Sequence, residues 1–170
     1  MFCIALIISN CILYFLIPDN GLYSINVFFM QGAYWQIISS MFMHANLTHL
    51  ALNMIVLYQF GYILEKHLGS IKFAILYMFG GILTSLLSAF YVYYDSIKNQ
   101  AFINLVGASG AICVLIGFYA YADRRSFLGL VVAVFIMSFV PIFMGVNVAW
   151  YAHIFGFICG YLIARLRVFV

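Results

Sequence analysis

The 170-residue chain is 68% hydrophobic and 6% charged, with eighteen Phe, thirteen Tyr and a formal net charge of +3. Soluble domains carry roughly 25% charged residues, so this composition excludes an ordinary cytosolic fold, a disordered tail, a nucleic-acid binder and a disulfide-built secreted module. A helix crossing the hydrocarbon core takes about 20 residues at about 1.5 Å each. The chain therefore holds about six spans, with no room for a separate soluble domain, and reads as an all-α polytopic membrane protein.

Charges, prolines and glycines set the predicted boundaries. Span 1 covers residues 2–17 and stops at the turn cluster Pro18-Asp19-Asn20-Gly21. No basic segment precedes it and no small-residue cleavage site follows, so it reads as a span and not as a cleaved signal. A long connection rich in Phe, Tyr and Trp leads to residue 46. Span 2 covers 47–64, closed by Glu65-Lys66-His67, and span 3 covers 71–94, closed by Asp95 to Gln100. Span 4 covers 109–122 before Asp123-Arg124-Arg125, span 5 covers 127–143, and span 6 covers 152–168. Five or seven spans are the competing counts. Cys3, Cys11, Cys113 and Cys159 lie in apolar runs without a CxxC pair and read as buried free thiols.

Six spans sort the basic residues by side. Lys66, Lys72, Arg124, Arg125, Arg165 and Arg167 fall on one face of the membrane, and only Lys98 on the other. The excess of positive charge predicts both termini in the cytoplasm. Span 4 is short for a crossing helix: its 14 residues make about 21 Å against a core of about 30 Å. The apolar stretch 101–107 ahead of it is predicted to be non-helical chain at membrane depth, tolerated only where protein or a wet cavity surrounds it.

Polar groups at that depth are costly and each needs a reason. Span 2 carries His49 and Asn53, span 4 opens with Ser109, and span 6 carries His153 near its head. In the predicted topology these three spans all run inward from the extracytoplasmic side, so the four residues share one level. Singly, each has a bland reading as a helix cap or as interhelical glue; together they suit nucleophilic acyl transfer. A serine needs a base to take its proton, and neutral imidazole is the usual one. The acidic residues Asp19, Glu65, Asp95 and Asp123 lie in loops or at span ends, which predicts a Ser-His dyad without a carboxylate and excludes an intramembrane aspartyl pair. The spacing of His44 and His49, with no Glu between, excludes an HExxH zinc site, so no metal is expected. His49 and Asn53 are four apart and project from one helix face, where imidazole and amide N–H groups could meet a developing oxyanion. The Ser109 backbone N–H, in the first turn of span 4, faces the same charge. Ala152, Gly156 and Gly160 form a small-residue stripe with His153 on its seam, and Gly110 and Gly117 of span 4 are predicted to receive it.

Three motifs, Gly107-Ala108-Ser109-Gly110, Ala152-His153-x-x-Gly156-x-x-x-Gly160 and His44-x4-His49-x3-Asn53, together resemble those of the rhomboid family of intramembrane serine proteases, and most closely its compact six-span bacterial type. The resemblance covers nearly the whole chain, with the motifs in family order on spans 2, 4 and 6. Glu65-Lys66-x-Leu68-Gly69-Ser70 is similar to the bacterial subgroup, whereas the family's first-loop Trp-Arg pair reads Trp35-Gln36 here, and the soluble N-terminal domain of some members is missing. The resemblance implies Ser109 as nucleophile, His153 as general base, and His49, Asn53 and Ser109 as oxyanion donors. It further implies transmembrane protein substrates, lipid surroundings in a bacterial plasma membrane, no cofactor and a site open to the extracytoplasmic side. A lateral gate at span 5 and its tail, residues 141–146, also follows from it. Phe28, Phe29, Tyr34, Trp35 and Phe42 suit an interfacial first loop, or equally an ordinary aromatic belt. Two competing readings are a catalytically inactive relative that binds membrane segments, which typically lacks the Ser or His, and a small transporter. The transporter would spread its polar residues through the membrane thickness instead of holding them at one level.

Overall fold

In the computed structural model, which describes residues 1–167 and 169, the described residues are predominantly helical. In chain order the helices are α1 (Phe2–Leu16), α2 (Gln36–Ser39), α3 (Leu47–Leu68), α4 (Ser70–Asn99), α5 (Ser109–Ala122), α6 (Phe127–Phe143) and α7 (Trp150–Arg165). Two 3-10 turns, Val27–Gln31 and Ser40–Phe42, shape the long first loop. The fourth and fifth predicted spans match α5 and α6 residue for residue. The second and third run on by about a turn, because Glu65-Lys66-His67 and residues 95–99 stay helical. The last helix begins at Trp150, two residues before the predicted start, and stops at Arg165; the predicted end at Val168 lies outside the described residues.

α5 is the axis of the fold. Eleven of its residues, from Ser109 to Ala120, are buried, as expected of a helix apolar on every side. It packs most extensively on α7, then on α4, α3 and α6, while α1 lies against α3 and α4. Small residues permit the closest approaches. A Cβ at Gly156 would strike the Gly110 carbonyl oxygen, one at Gly160 the Val114 carbonyl oxygen, and one at Gly117 the Phe157 carbonyl oxygen. On the other side, Gly80 and Gly81 of α4 admit Val114 and Ala111 of α5 in the same way.

The exterior is apolar: Phe15, Ile55, Phe79, Phe90, Leu128 and Phe135 are all well exposed. α3 and α4 are long and apolar enough to cross a membrane, and α1, α5 and α6 are shorter apolar helices. Such a surface suits lipid as the solvent. α6 is the most loosely seated of the long helices, with only Val134 and Ser138 buried. Of the four free cysteines, Cys3, Cys113 and Cys159 are buried and Cys11 is partly so.

Two devices set helix ends. The Glu65 carboxylate accepts the backbone N–H of Phe2 at 2.6 Å and of Cys3 at 2.9 Å, and the Ser70 hydroxyl at 2.5 Å. It thus satisfies donors at the head of α1 that have no intrahelical partner, and joins α1 to the α3–α4 corner. Between α5 and α6, Asp123 accepts the Ser126 hydroxyl at 2.6 Å and the Arg125 N–H at 3.1 Å. Those bonds, the hydroxyl first, hold its carboxyl below the usual carboxylate range.

Candidate active site

Ser109 is the first residue of α5, so its N–H has no intrahelical acceptor. The chain that delivers it is non-helical from 101 to 107 apart from one isolated bridge. That bridge pairs Ile25 of the first loop with Leu105, through N···O distances of 3.0 and 2.9 Å. Gly107 then donates its N–H to the Ser40 carbonyl at 2.9 Å. Its φ of 126° is a conformation that side chains disfavour. A Cβ there would also lie 2.8 Å from Cε1 and 3.0 Å from Nε2 of His49, and 3.5 Å from Ser109 Oγ. Glycine at 107 thus lets the backbone turn and lets the imidazole of His49 approach the serine.

α3 presents its head to the same place. Asn46 caps it by accepting the His49 N–H at 2.8 Å, which fixes the first turn. The His49 ring meets His44 edge-on, with centroids 5.2 Å apart. One turn along, Asn53 is buried and its Nδ2 has no hydrogen-bond partner. Buried amide donors are rarely left unpaired, and this one lies on the His49 face of α3. Beside Ser109 is a cavity of about 20 Å³ whose lining includes Ser40, Thr84, Ser85, Ser88 and Gly107. Its size is close to that of one water molecule.

α7 brings His153. Trp150 and Tyr151 anchor its head: the Tyr151 ring stacks on Tyr91 of α4 at 4.1 Å, and Trp150 stacks on Phe139 of α6 at 5.7 Å. The Gly156–Gly110 contact then seats α7 on α5 three residues past His153. A Cβ on Gly110 would lie 3.8 Å from the carbonyl oxygen and 3.9 Å from the Cβ of Ala152, the residue preceding the histidine. Ser109 and His153 are both buried. Among the described residues no hydrogen bond joins them. His153 Nδ1 instead lies 3.1 Å from the hydroxyl of Ser138 on α6, a residue that the sequence gives no reason to single out.

Glu65 is the buried acidic side chain of α3, but it stands sixteen residues from His49, about 24 Å along the helix, and is occupied by α1. The first loop is held by uncharged side chains. Gln36, fully buried, accepts the Asn26 N–H at 3.2 Å and donates to Asn26 Oδ1 at 3.2 Å, while Asn26 donates to Asn104 Oδ1 at 3.1 Å. A neutral amide network thereby ties the loop to the segment leading into Ser109. Trp35 stays exposed and donates to the Leu22 carbonyl.

The chain is similar to several known proteins. The candidate rhomboid protease YdcA of Bacillus subtilis is 28% identical over 145 residues, covering 81% of this chain and 69% of its own length. Rhomboid protease GluP of the same organism is 31% identical over 106 residues, 61% of this chain and 19% of that protein. Rhomboid protease AarA of Providencia stuartii is 36% identical over 90 residues, 49% of this chain and 32% of that protein. The chain thus spans about two thirds of the first relative and a third or less of the other two. The Rhomboid domain matches residues 31–168, from the first loop through α7 and so across every residue of the site; the chain belongs to the rhomboid family.

Proposed function

We propose that this protein is an intramembrane serine endopeptidase that cuts transmembrane protein substrates with a Ser109–His153 dyad. The observation that carries this reading is the meeting of α3 and α5 at Gly107, with the His49 ring and Ser109 Oγ on the same glycine. Around it stand the unspent Asn53 donor and the close α5–α7 seam that carries His153.

The chemistry runs as an acyl transfer. Ser109 Oγ attacks the scissile carbonyl carbon, and its proton passes to His153 Nε2, the ring nitrogen not engaged by Ser138. The oxyanion that forms accepts from Asn53 Nδ2, His49 and the Ser109 N–H, donors fixed before the reaction begins. Collapse of this intermediate expels the amine, which takes the proton from His153, and leaves an ester on Ser109. Water, for which the small cavity lined by Ser85 and Ser88 has room for about one molecule beside the serine, then hydrolyses the ester by the same proton route.

The long helices α1, α3, α4, α5, α6 and α7 form six spans in this reading, with both termini cytoplasmic and the site opening to the extracytoplasmic side. α6, thinly buried and carrying Pro141 near its end, is the element past which a substrate helix enters. The test is cleavage of a transmembrane substrate by purified, reconstituted protein. Ser109→Ala and His153→Ala are each expected to abolish turnover while melting like the parent, since dyad members act as a unit. Undiminished cleavage by Ser109→Ala overturns the assignment, and substrate binding without cleavage by the parent protein identifies an inactive binder.

A further inference from the structure

The Ser138 hydroxyl sits between two partners, His153 Nδ1 at 3.1 Å and the Val134 backbone carbonyl at 2.6 Å. It is fully buried, 15 residues from the histidine in sequence, and water does not compete for either contact. The carbonyl has no proton to give. Two oxygens 2.6 Å apart sit at the short end of O–H···O distances, so the hydroxyl proton lies between them. Ser138 Oγ then offers His153 only lone pairs, and Nδ1 must carry the proton.

We propose that Ser138 is a positioning residue for His153. The direction of the chain, Nδ1–H to Ser138 Oγ–H to the Val134 carbonyl, fixes the imidazole tautomer and leaves Nε2 bare. A base needs that tautomer, and in triad proteases a buried carboxylate enforces it. Here a neutral hydroxyl, itself oriented by its own helix, does so without placing a charge in the membrane, where a carboxylate would be costly. α6 is thereby a structural support of the base as well as a boundary of the site.

This inference rests on the dyad reading, and the experiment separates the two. Ser138→Ala, Ser138→Thr and Ser109→Ala are purified alongside the parent, with kcat, KM, pH profile and melting temperature measured on each. Ser138→Ala is expected to lower kcat on the order of ten-fold with KM unchanged. That loss is far smaller than the roughly 10⁴ seen when a triad aspartate becomes asparagine, which imposes the wrong tautomer, whereas alanine leaves the ring free to choose. Loss of the acceptor also disfavours the imidazolium, so the acid limb of kcat moves to lower pH, on the order of half a unit. Ser138→Thr, which keeps the hydroxyl and can still bond the i−4 carbonyl, restores both.

Nitrogen NMR of histidine-labelled parent protein gives a readout that needs no variant. It is expected to show His153 protonated at Nδ1 and bare at Nε2. Parental kcat and pH profile in Ser138→Ala, with Ser109→Ala inactive, overturn the role of Ser138 and leave the dyad standing. The opposite tautomer in the parent does the same. Activity in Ser109→Ala overturns the dyad itself.

Discussion

The α5–α7 seam makes a quantitative test at Gly156. A Cβ added there overlaps the Gly110 carbonyl oxygen and lies 2.9 Å from Cys113 Cβ and 3.2 Å from the Gly110 carbonyl carbon. These neighbours are backbone or a short side chain, so they cannot swing aside, and α7 must move outward by about 1 Å to restore contact at van der Waals distance. Overpacking of this kind costs about 1–3 kcal/mol. Alanine returns about 1 kcal/mol through its better helix propensity, which leaves a net loss of about 0–2 kcal/mol. The effect on chemistry is larger. His153 lies one turn away on the same helix, and a 1 Å misplacement can cost about 10² in rate. Gly156→Ala is therefore expected to melt near the parent temperature in detergent while cleaving a transmembrane substrate about a hundred times more slowly. Gly129→Ala on α6, where an added Cβ meets nothing within 4 Å, is the control and should match the parent in both. Parental turnover in Gly156→Ala would refute the argument that the seam positions the histidine.

Two further substitutions test separate parts of the account. Asn53→Ala removes the proposed oxyanion donor and should lower kcat by about 10² with KM and melting temperature nearly unchanged; a fall in stability with turnover intact assigns Asn53 to interhelical bonding. Glu65→Ala strips an ionised acceptor from two backbone N–H groups of α1 and from Ser70, and should destabilise the fold by several kcal/mol, at about 1.5–3 kcal/mol for each charge-assisted bond. Thermal melting checks it, and a parental melting temperature contradicts the capping role.

Much of the fold is legible because the membrane makes each punctuation mark count. Asp123-Arg124-Arg125 cannot lie within the hydrocarbon, so the end of α5 and the start of α6 follow from charge alone. The same logic stops short at Glu65-Lys66-His67, because a charged triplet at a span end can remain helical at the interface. Glu65 extends α3 further because it has work to do on α1, in contacts with residues 62 and 63 positions away that no local pattern encodes. The candidate site is marked in the sequence for a different reason. His49 with Asn53, and His153 with Gly156, are each spaced for one helix face, and Ser109 heads a helix too short to span the core. Ser138 is invisible to such reasoning. A serine in an apolar helix ordinarily bonds the carbonyl four residues back, as this one does. Its second partner depends on how α6 is laid against α7. Likewise Ser40 and Asn104 hold the segment before Ser109 through contacts that only the folded first loop creates.

The central claim, that Ser109 is an activated nucleophile, is tested most directly by covalent capture. A fluorophosphonate reacts with an activated serine hydroxyl, so exposing the detergent-solubilised protein to it and locating the adduct by mass spectrometry identifies the nucleophile independently of any substrate. The account predicts one adduct, on Ser109, absent in Ser109→Ala and strongly diminished in His153→Ala. An adduct on another serine, or labelling that persists in Ser109→Ala, would contradict it.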